Sequence, residues 1–288
     1  MKNTTILIVI GLLSVMNLYG QSYSLNTPIN QLKAAAEANN AEAQFWLGQA
    51  YFQGENVQKN ETKGFQWMVL AANQGYTKAQ AAVGECYLYG EGTTQNENKG
   101  IEWLKKAADQ GYQMANFVLG MYYLYDADVA SPGVHAQNYL KDAVENKLEI
   151  VSISPNGEEY NLVKYYYGCA WAWCLAYYIP DTIDEYDIEE PTTDNECLKL
   201  SAKYGDSLSQ YAIGKIYLKH ENYNEAFKWL KKAADNDEPM AKYDLGVMYY
   251  KGKGVTKNTQ TAIKWWKEAA SDGEPYAKEA LRKLNIEY

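Results

Sequence analysis

The sequence predicts an all-α protein built from stacked antiparallel helix pairs, and three observations carry that prediction. The phrase "EWLKKAADQGY" at 102–112 returns as "KWLKKAADNDE" at 228–238 and "KWWKEAASDGE" at 264–274, after a first version, "QWMVLAANQGY", at 66–76. The echoes keep a period. Gly48, Gly84 and Gly120 lie 36 residues apart, an aromatic follows each by nineteen (Trp67, Trp103, Tyr139), and a small pair comes four later (Ala71-Ala72, Ala107-Ala108, Ala143-Val144). The same frame reappears at Gly246, Trp265 and Ala269-Ala270 and, shortened, at Gly214, Trp229 and Ala233-Ala234. A unit of this length cannot bury its own apolar face, so copies must lean on one another.

Composition narrows the possible partners. The 288 residues are 47% hydrophobic, enough for a sizeable core, and 27 are Tyr against 5 Phe. Tyrosine has an apolar body and a polar tip, which suits half-exposed surfaces. The formal charge of −9 becomes −10 once Lys2 is removed with the leader described next, and no basic stripe interrupts it. Such a chain repels phosphate backbones and anionic bilayers, so nucleic acid is not an expected partner.

Taken in order, residues 1–20 have the layout of a secretory signal peptide: Lys2, an apolar run over 6–16, and a small residue at Gly20. That run is shorter than the roughly 20 residues of a membrane span. The mature chain is then expected to be one repeat solenoid over 21–288, exported to a periplasm or beyond, with no membrane insertion after cleavage. Residues 28–39 read as a lone second helix that caps the stack, with Thr27 as its cap and Pro28 as its first residue. Repeats follow at about 41–76, 77–112 and 113–148. In the first helix at 41–53, Ala43, Leu47, Ala50 and Tyr51 share one stripe. In the second at 99–110, Ile101, Leu104, Ala107 and Ala108 do the same. Polar turns such as "GENVQKNET" and "GKGVTKNTQ" join them, and Gly75, Gly111 and Gly273 are placed for helix ends that need positive φ. Gly48 and Gly84 are expected to face Gly64 and Gly100, or the alanines Ala136, Ala226 and Ala262 in the other units, so that paired helices approach closely. A divergent stretch at 149–205 follows, then repeats at 206–238 and 239–274. Residues 275–284 read as a lone first helix that closes the array.

These residues resemble the Sel-one-like repeat family, a relative of the tetratricopeptide repeat. The family pattern is best kept in "TKAQAAVGECYLYGEGTTQNENKGIEWLKKAADQG" (77–111) and "PMAKYDLGVMYYKGKGVTKNTQTAIKWWKEAASDG" (239–273), good at 41–75, recognisable at 113–146 and 206–236, and poor at 149–205. The resemblance implies a right-handed α/α superhelical solenoid with a concave face, and a function as an adaptor or scaffold for other proteins. It names no ligand.

In the divergent stretch, "YNLVKYYYGCAWAWCLAYYI" (160–179) reads as a long first helix and "NECLKLSAKYG" (195–205) as its partner, with either Gly168 or Ala176 at the glycine position. The acidic, proline-bounded stretch 180–194 between them reads as a solvated loop, without the spacing of an EF-hand.

No constellation points to catalysis, a metal or a cofactor. His135 and His220 are the only histidines, 85 apart, and no G-x-S-x-G elbow or Walker loop occurs. Four cysteines in an exported chain invite a bridge. Cys86 takes the place of Ala50 and is expected to be a buried thiol; Cys174 with Cys197, or Cys169 with Cys197, meet in an antiparallel pair, and such a bridge contributes about 3 kcal/mol. Cysteine-dependent hydrolysis or redox chemistry ranks below binding, because the regular bridges of cysteine-rich relatives are missing.

Binding candidates come from the first helices, which line the concave face in tetratricopeptide-type stacks. Three residues before the glycine stand Phe45, Phe117, Tyr165, Tyr211 and Tyr243; four or five after it stand Phe52, Tyr89, Tyr125, Trp173 and Tyr250. This aromatic file is expected to hold a peptide or protein segment, the alternative guest being a carbohydrate stacked on the same rings. Trp67, Trp103, Trp229 and Trp265 are expected to pack between repeats.

Overall fold

A computed structural model describes residues 23–125, 132–153, 158–177, 188–189 and 192–287. The predicted signal peptide and most of the acidic loop at 180–194 lie outside the described residues. Among those described, the chain forms fourteen helices and one short two-stranded ribbon, in two compact units.

The first unit, residues 1–128 with 145–148, holds α1 (Ile29–Glu37), α2 (Ala41–Gln53), α3 (Glu61–Asn73), α4 (Thr77–Tyr89), α5 (Glu97–Asp109) and α6 (Gln113–Tyr125). The second, residues 129–144 with 149–288, holds α7 (Pro132–Glu145) save its last residue, then β1 (Val151–Ile153), β2 (Glu159–Asn161), α8 (Leu162–Tyr177), α9 (Thr193–Lys203), α10 (Ser207–Lys219), α11 (Tyr223–Asp235), α12 (Pro239–Lys251), α13 (Thr259–Ser271) and α14 (Pro275–Lys283). Helices pack as pairs, α2 with α3, α4 with α5, α8 with α9, α10 with α11 and α12 with α13, and each pair packs on the next within its unit; α1 packs on α2 in the first unit and α14 on α13 in the second. The fold is all-α apart from the ribbon, which the repeat pattern does not announce: Val151 pairs with Asn161 and Ile153 with Glu159, antiparallel.

Asparagines cap five of the helices. The side chains of Asn40, Asn60, Asn96, Asn222 and Asn258 each accept the backbone N–H of the residue three further on, which satisfies one of the donors a helix start leaves unpaired. Thr27 does not cap α1. The helix begins at Ile29 with Pro28 before it, and the Thr27 hydroxyl accepts from the Ser24 N–H instead. Gly75, Gly111 and Gly273 do carry the expected positive φ, of 86°, 83° and 100°.

The paired glycines allow backbone contact. A Cβ on Gly48 would stand 2.9 Å from the Gly64 carbonyl oxygen, and one on Gly84 3.0 Å from that of Gly100. In both units a large side chain one turn further along also meets the glycine: Met68 at Gly48, Leu104 at Gly84, Leu230 at Gly214 and the Trp266 indole at Gly246. Gly168 is the close-packed glycine of the divergent pair, set against Cys197 and Ser201. Its register is nevertheless about one turn out of step. Gly48 faces residues eight and four before Ala72, whereas Gly168 faces residues five and one before Ala202, and those two alanines are equivalent because their carbonyls accept from Gln80 and Gln210.

Those glutamines, with Gln44, form a clasp in three of the repeats. Gln44, Gln80 and Gln210 each donate to the last-turn carbonyl of the preceding second helix, Ala36, Ala72 and Ala202. Each also accepts from an amide at the end of its own second helix: Gln74 at 2.7 Å, Gln110 at 2.6 Å and Asn236 at 2.9 Å. Lys242 takes this place in the last repeat and pairs with Asp272 at 2.7 Å and Asp237 at 2.9 Å. Burial disfavours its charge, yet the two aspartates outweigh burial and raise its pKa. Lys242→Ala is expected to cost about 1 kcal/mol in urea unfolding, because its buried stem is lost while the two aspartates, open to solvent, are hydrated instead. Lys242→Gln, the residue of the three clasped repeats, is expected to cost less.

Candidate functional site

In the second unit the first helices α10, α12 and α14 leave a hollow of about 800 Å³ lined by Tyr211, Lys215, Glu238, Tyr243, Asp244, Glu274 and Tyr276, among others. Lys215 on α10 pairs with Asp244 on α12 at 3.0 Å and lies over the Tyr211 ring, 5.8 Å from its centre. Tyr243 on α12 and Tyr276 on α14 lie ring to ring at 5.9 Å. These two tyrosines also border a second hollow of about 300 Å³, lined further by Tyr250, Trp266 and Leu284. Trp266 is held there by donating its indole N–H to the Tyr243 carbonyl. Of the candidates read from the sequence, Tyr243 borders both hollows and Tyr250 the smaller one, while Tyr211 forms the floor of the larger hollow and is itself buried at 7% exposure. Tyr276, which the repeat frame does not single out, is the most open ring there at 69% exposure.

The groove is acidic. Glu238 and Glu274 precede α12 and α14 and are only 9% and 8% exposed. Glu238 accepts from the Ser207 hydroxyl and Glu274 from the Tyr276 N–H, and neither has an ion pair among the described residues. Burial raises the Glu238 pKa, with the charges of Asp206 and Glu274 adding to it. Burial also pushes the Tyr211 phenol up, followed by the charges of Asp244, Glu238 and Glu274.

The first unit treats the same positions differently. Phe45 and Phe117, at 1% exposure, are core residues and line no open surface, which corrects the expectation for them. The reason is visible at Phe45. Its ring lies 5.5 Å from Tyr76, the residue eight before Gly84. That position reads Tyr76, Tyr112, Asp206, Glu238 and, by extension, Glu274 along the chain. The Tyr76 ring fills the space beside Phe45, whereas the shorter acids Glu238 and Glu274 line a hollow in the second unit. This switch stands in the sequence as a column of the aligned repeats. Phe52 is half-buried with its ring against Gly64, Tyr89 is half-buried, and Tyr125 is 49% exposed. Tyr165 is half-buried in an aromatic cluster, edge-on to Tyr160 at 5.6 Å and Tyr166 at 5.2 Å. Trp173 falls within α8, but its side chain lies outside the described residues.

The repeat tryptophans pack, though half-buried and not enclosed. Trp229 and Trp265 each rest on a hydrophobic cluster shared by the preceding helix pair and the first helix of their own repeat. Lysines cover the outer faces, Lys106 over Trp103 at 4.5 Å and Lys232 over Trp229 at 4.3 Å.

All four cysteines are buried free thiols, so the bridge between Cys174 and Cys197 is absent here. Cys197 sits against Gly168, and Cys174 lies six residues, roughly 9 Å, further along α8. Cys174 instead donates to Gln137 at 3.5 Å. Burial pushes the thiols of Cys86, Cys174 (to about 11) and Cys197 (to about 12) upward. A thiol held protonated is a poor nucleophile, so none of these three is set up for cysteine chemistry.

The family model of the Sel1 repeat matches four times, at residues 41–76, 77–112, 207–238 and 239–274. No curated protein matches the sequence. Among solved structures, a protective antigen of uropathogenic Escherichia coli described as displaying an SLR fold is similar, with 24% identity and a TM-score of 0.49, over 90% of this chain and 59% of the antigen. This chain thus spans less than two thirds of that antigen's length. A Sel1 repeat protein from Oxalobacter formigenes is 22% identical with a TM-score of 0.46, over 98% of this chain and 87% of that one. An immunity protein from Pseudomonas aeruginosa is 14% identical with a TM-score of 0.35, over 80% and 81% of the two chains. Four matched repeats, in two tandem pairs whose helices pack as described, make this chain a member of the Sel1 repeat family.

Proposed function

We propose that the protein is an exported, non-enzymatic adaptor that docks a segment of another protein on the first-helix face of its second unit. The observation that carries this reading is the hollow of about 800 Å³ between α10, α12 and α14, where Tyr211, Tyr243 and Tyr276 converge. Rings at such a site supply apolar contact while their hydroxyls orient a peptide backbone, and each well-buried ring is worth about 1.5–3 kcal/mol. The lack of an activated thiol among Cys86, Cys174 and Cys197 supports binding over chemistry.

The test is a selection of random dodecapeptides displayed on phage against the full mature chain, followed by affinity measurement on variants. Tyr243→Ala with Tyr276→Ala is expected to weaken the selected peptides at least tenfold while circular dichroism is unchanged. Peptides that bind the double variant as well as wild type, or a protein that binds only glycans on an array, would overturn the reading. Export is tested separately. Mass spectrometry of the protein recovered from its native host's envelope or medium is expected to show a chain beginning at Gln21, and an intact Met1 in the cytosol would contradict it.

A further inference from the structure

We infer that the segment docked in this groove presents a basic side chain, seated between Tyr211 and Tyr243 and paired with Glu238 and Glu274. This deepens the docking reading above and rests on it.

Four observations lead there independently of the family. First, two carboxylates are more than nine-tenths buried in the groove without an ion pair among the described residues. Glu238 is met by the Ser207 hydroxyl and the Met240 N–H, and Glu274 by the Tyr276 N–H, neutral donors that satisfy hydrogen bonds but bring no opposite charge, so each carboxylate leaves room for a counter-charge. Second, the other groove charges are already matched: Asp244 with Lys215 and Asp272 with Lys242. What remains is net negative. Third, Glu238 and Glu274 stand where the first unit has Tyr76 and Tyr112, so the change that opens the hollow also makes it acidic. Fourth, the groove already seats one cation in the proposed manner, since Lys215 lies over the Tyr211 ring while bonded to a carboxylate. A tyrosine face and a carboxylate together attract a guanidinium or ammonium group more than either alone. The helix starts do not reverse this preference. Pro239 and Pro275 open α12 and α14 without an N–H, and the next amides, Met240 and Tyr276, are already taken by Glu238 and Glu274, so they are not open to a further anion.

The same phage selection provides the probe. The expected result is one near-invariant Arg or Lys among the selected dodecapeptides, and a loss of about tenfold or more when it is replaced by citrulline or Gln. Glu238→Gln with Glu274→Gln keeps the shape of the groove and is expected to weaken the selected peptide by a similar factor. Glu37→Gln with Glu97→Gln, exposed acids of the first unit, removes the same charge elsewhere and is expected to change binding less than twofold. Glu274→Tyr, which installs the first unit's residue, is expected to abolish binding by filling the hollow. If the peptides carry no basic position, or the Glu238 and Glu274 variant binds as wild type while Tyr276→Ala does not, the basic guest is wrong and the docking reading stands. If both control glutamates matter as much as the groove pair, the attraction is diffuse charge and the inference is overturned. If Tyr276→Ala leaves binding intact, the docking reading fails and takes this inference with it.

Discussion

Replacing Glu85 with methionine is expected to stabilise the protein by several kcal/mol at pH 8 and to flatten its stability across neutral pH. Glu85 lies on α4 at 2% exposure, and both of its carboxylate oxygens lack a hydrogen-bond partner among the described residues. Burial, with the charge of Glu91 added, pushes its pKa from 4.5 to about 8. The folded state therefore keeps a proton that the unfolded chain releases near pH 4.5. Stability is fully present below that pH and falls as pH rises through 8. The window is about 3.5 pH units at about 1.4 kcal/mol each, so the loss reaches roughly 5 kcal/mol. Methionine is a suitable replacement because Met121 fills the equivalent place one repeat later, 3% exposed. Urea titrations at pH 5, 7 and 8.5 test this. Wild type should weaken steadily over the series and Glu85→Met much less. Parallel pH profiles for the two proteins would show that Glu85 has a partner or a solvent path that its burial conceals.

Gly168→Ala is expected to destabilise the second unit by about 3 kcal/mol or more. The added Cβ would stand 2.1 Å from the Cys197 carbonyl oxygen and 2.5 Å from the Ser201 hydroxyl. A carbonyl within a helix cannot step aside alone, so α8 and α9 would have to separate along their contact. Gly75→Ala is the comparison. Its φ of 86° strains any other residue, but nothing lies within 4 Å, so about 1 kcal/mol is expected. Urea midpoints for the two variants give the ordering, and equal losses would mean that close approach at Gly168 contributes nothing beyond backbone strain.

The fold was open to reading because the same physical problem is solved several times over. Gly48 against Gly64 and Gly84 against Gly100 were placed by spacing alone, since small residues that recur on facing stripes mark where two helix backbones touch. The clasp was harder to see. Gln44, Gln80 and Gln210 look like ordinary surface glutamines until the ends of two second helices are brought beside them. The ribbon at Val151–Ile153 and Glu159–Asn161 broke the period, so no repeat logic reached it.

The candidate site was half legible. The periodic frame found Tyr211, Tyr243 and Tyr250. It could not separate Tyr243 and Tyr250 from the buried rings Phe45, Phe117 and Tyr211, because burial at a given position depends on neighbours outside the repeat, as Tyr76 of the next repeat covers Phe45. Tyr276 escaped notice because it lies in the closing half-repeat, where no complete unit sets the frame.

Hydrogen exchange of the full chain with and without a selected peptide tests the central claim most directly, namely that guests lie on the first helices of the second unit. Slowed exchange is expected in α10, α12 and α14, with α11 and α13 unchanged. Protection confined to α11 and α13, or to the first unit, would contradict it.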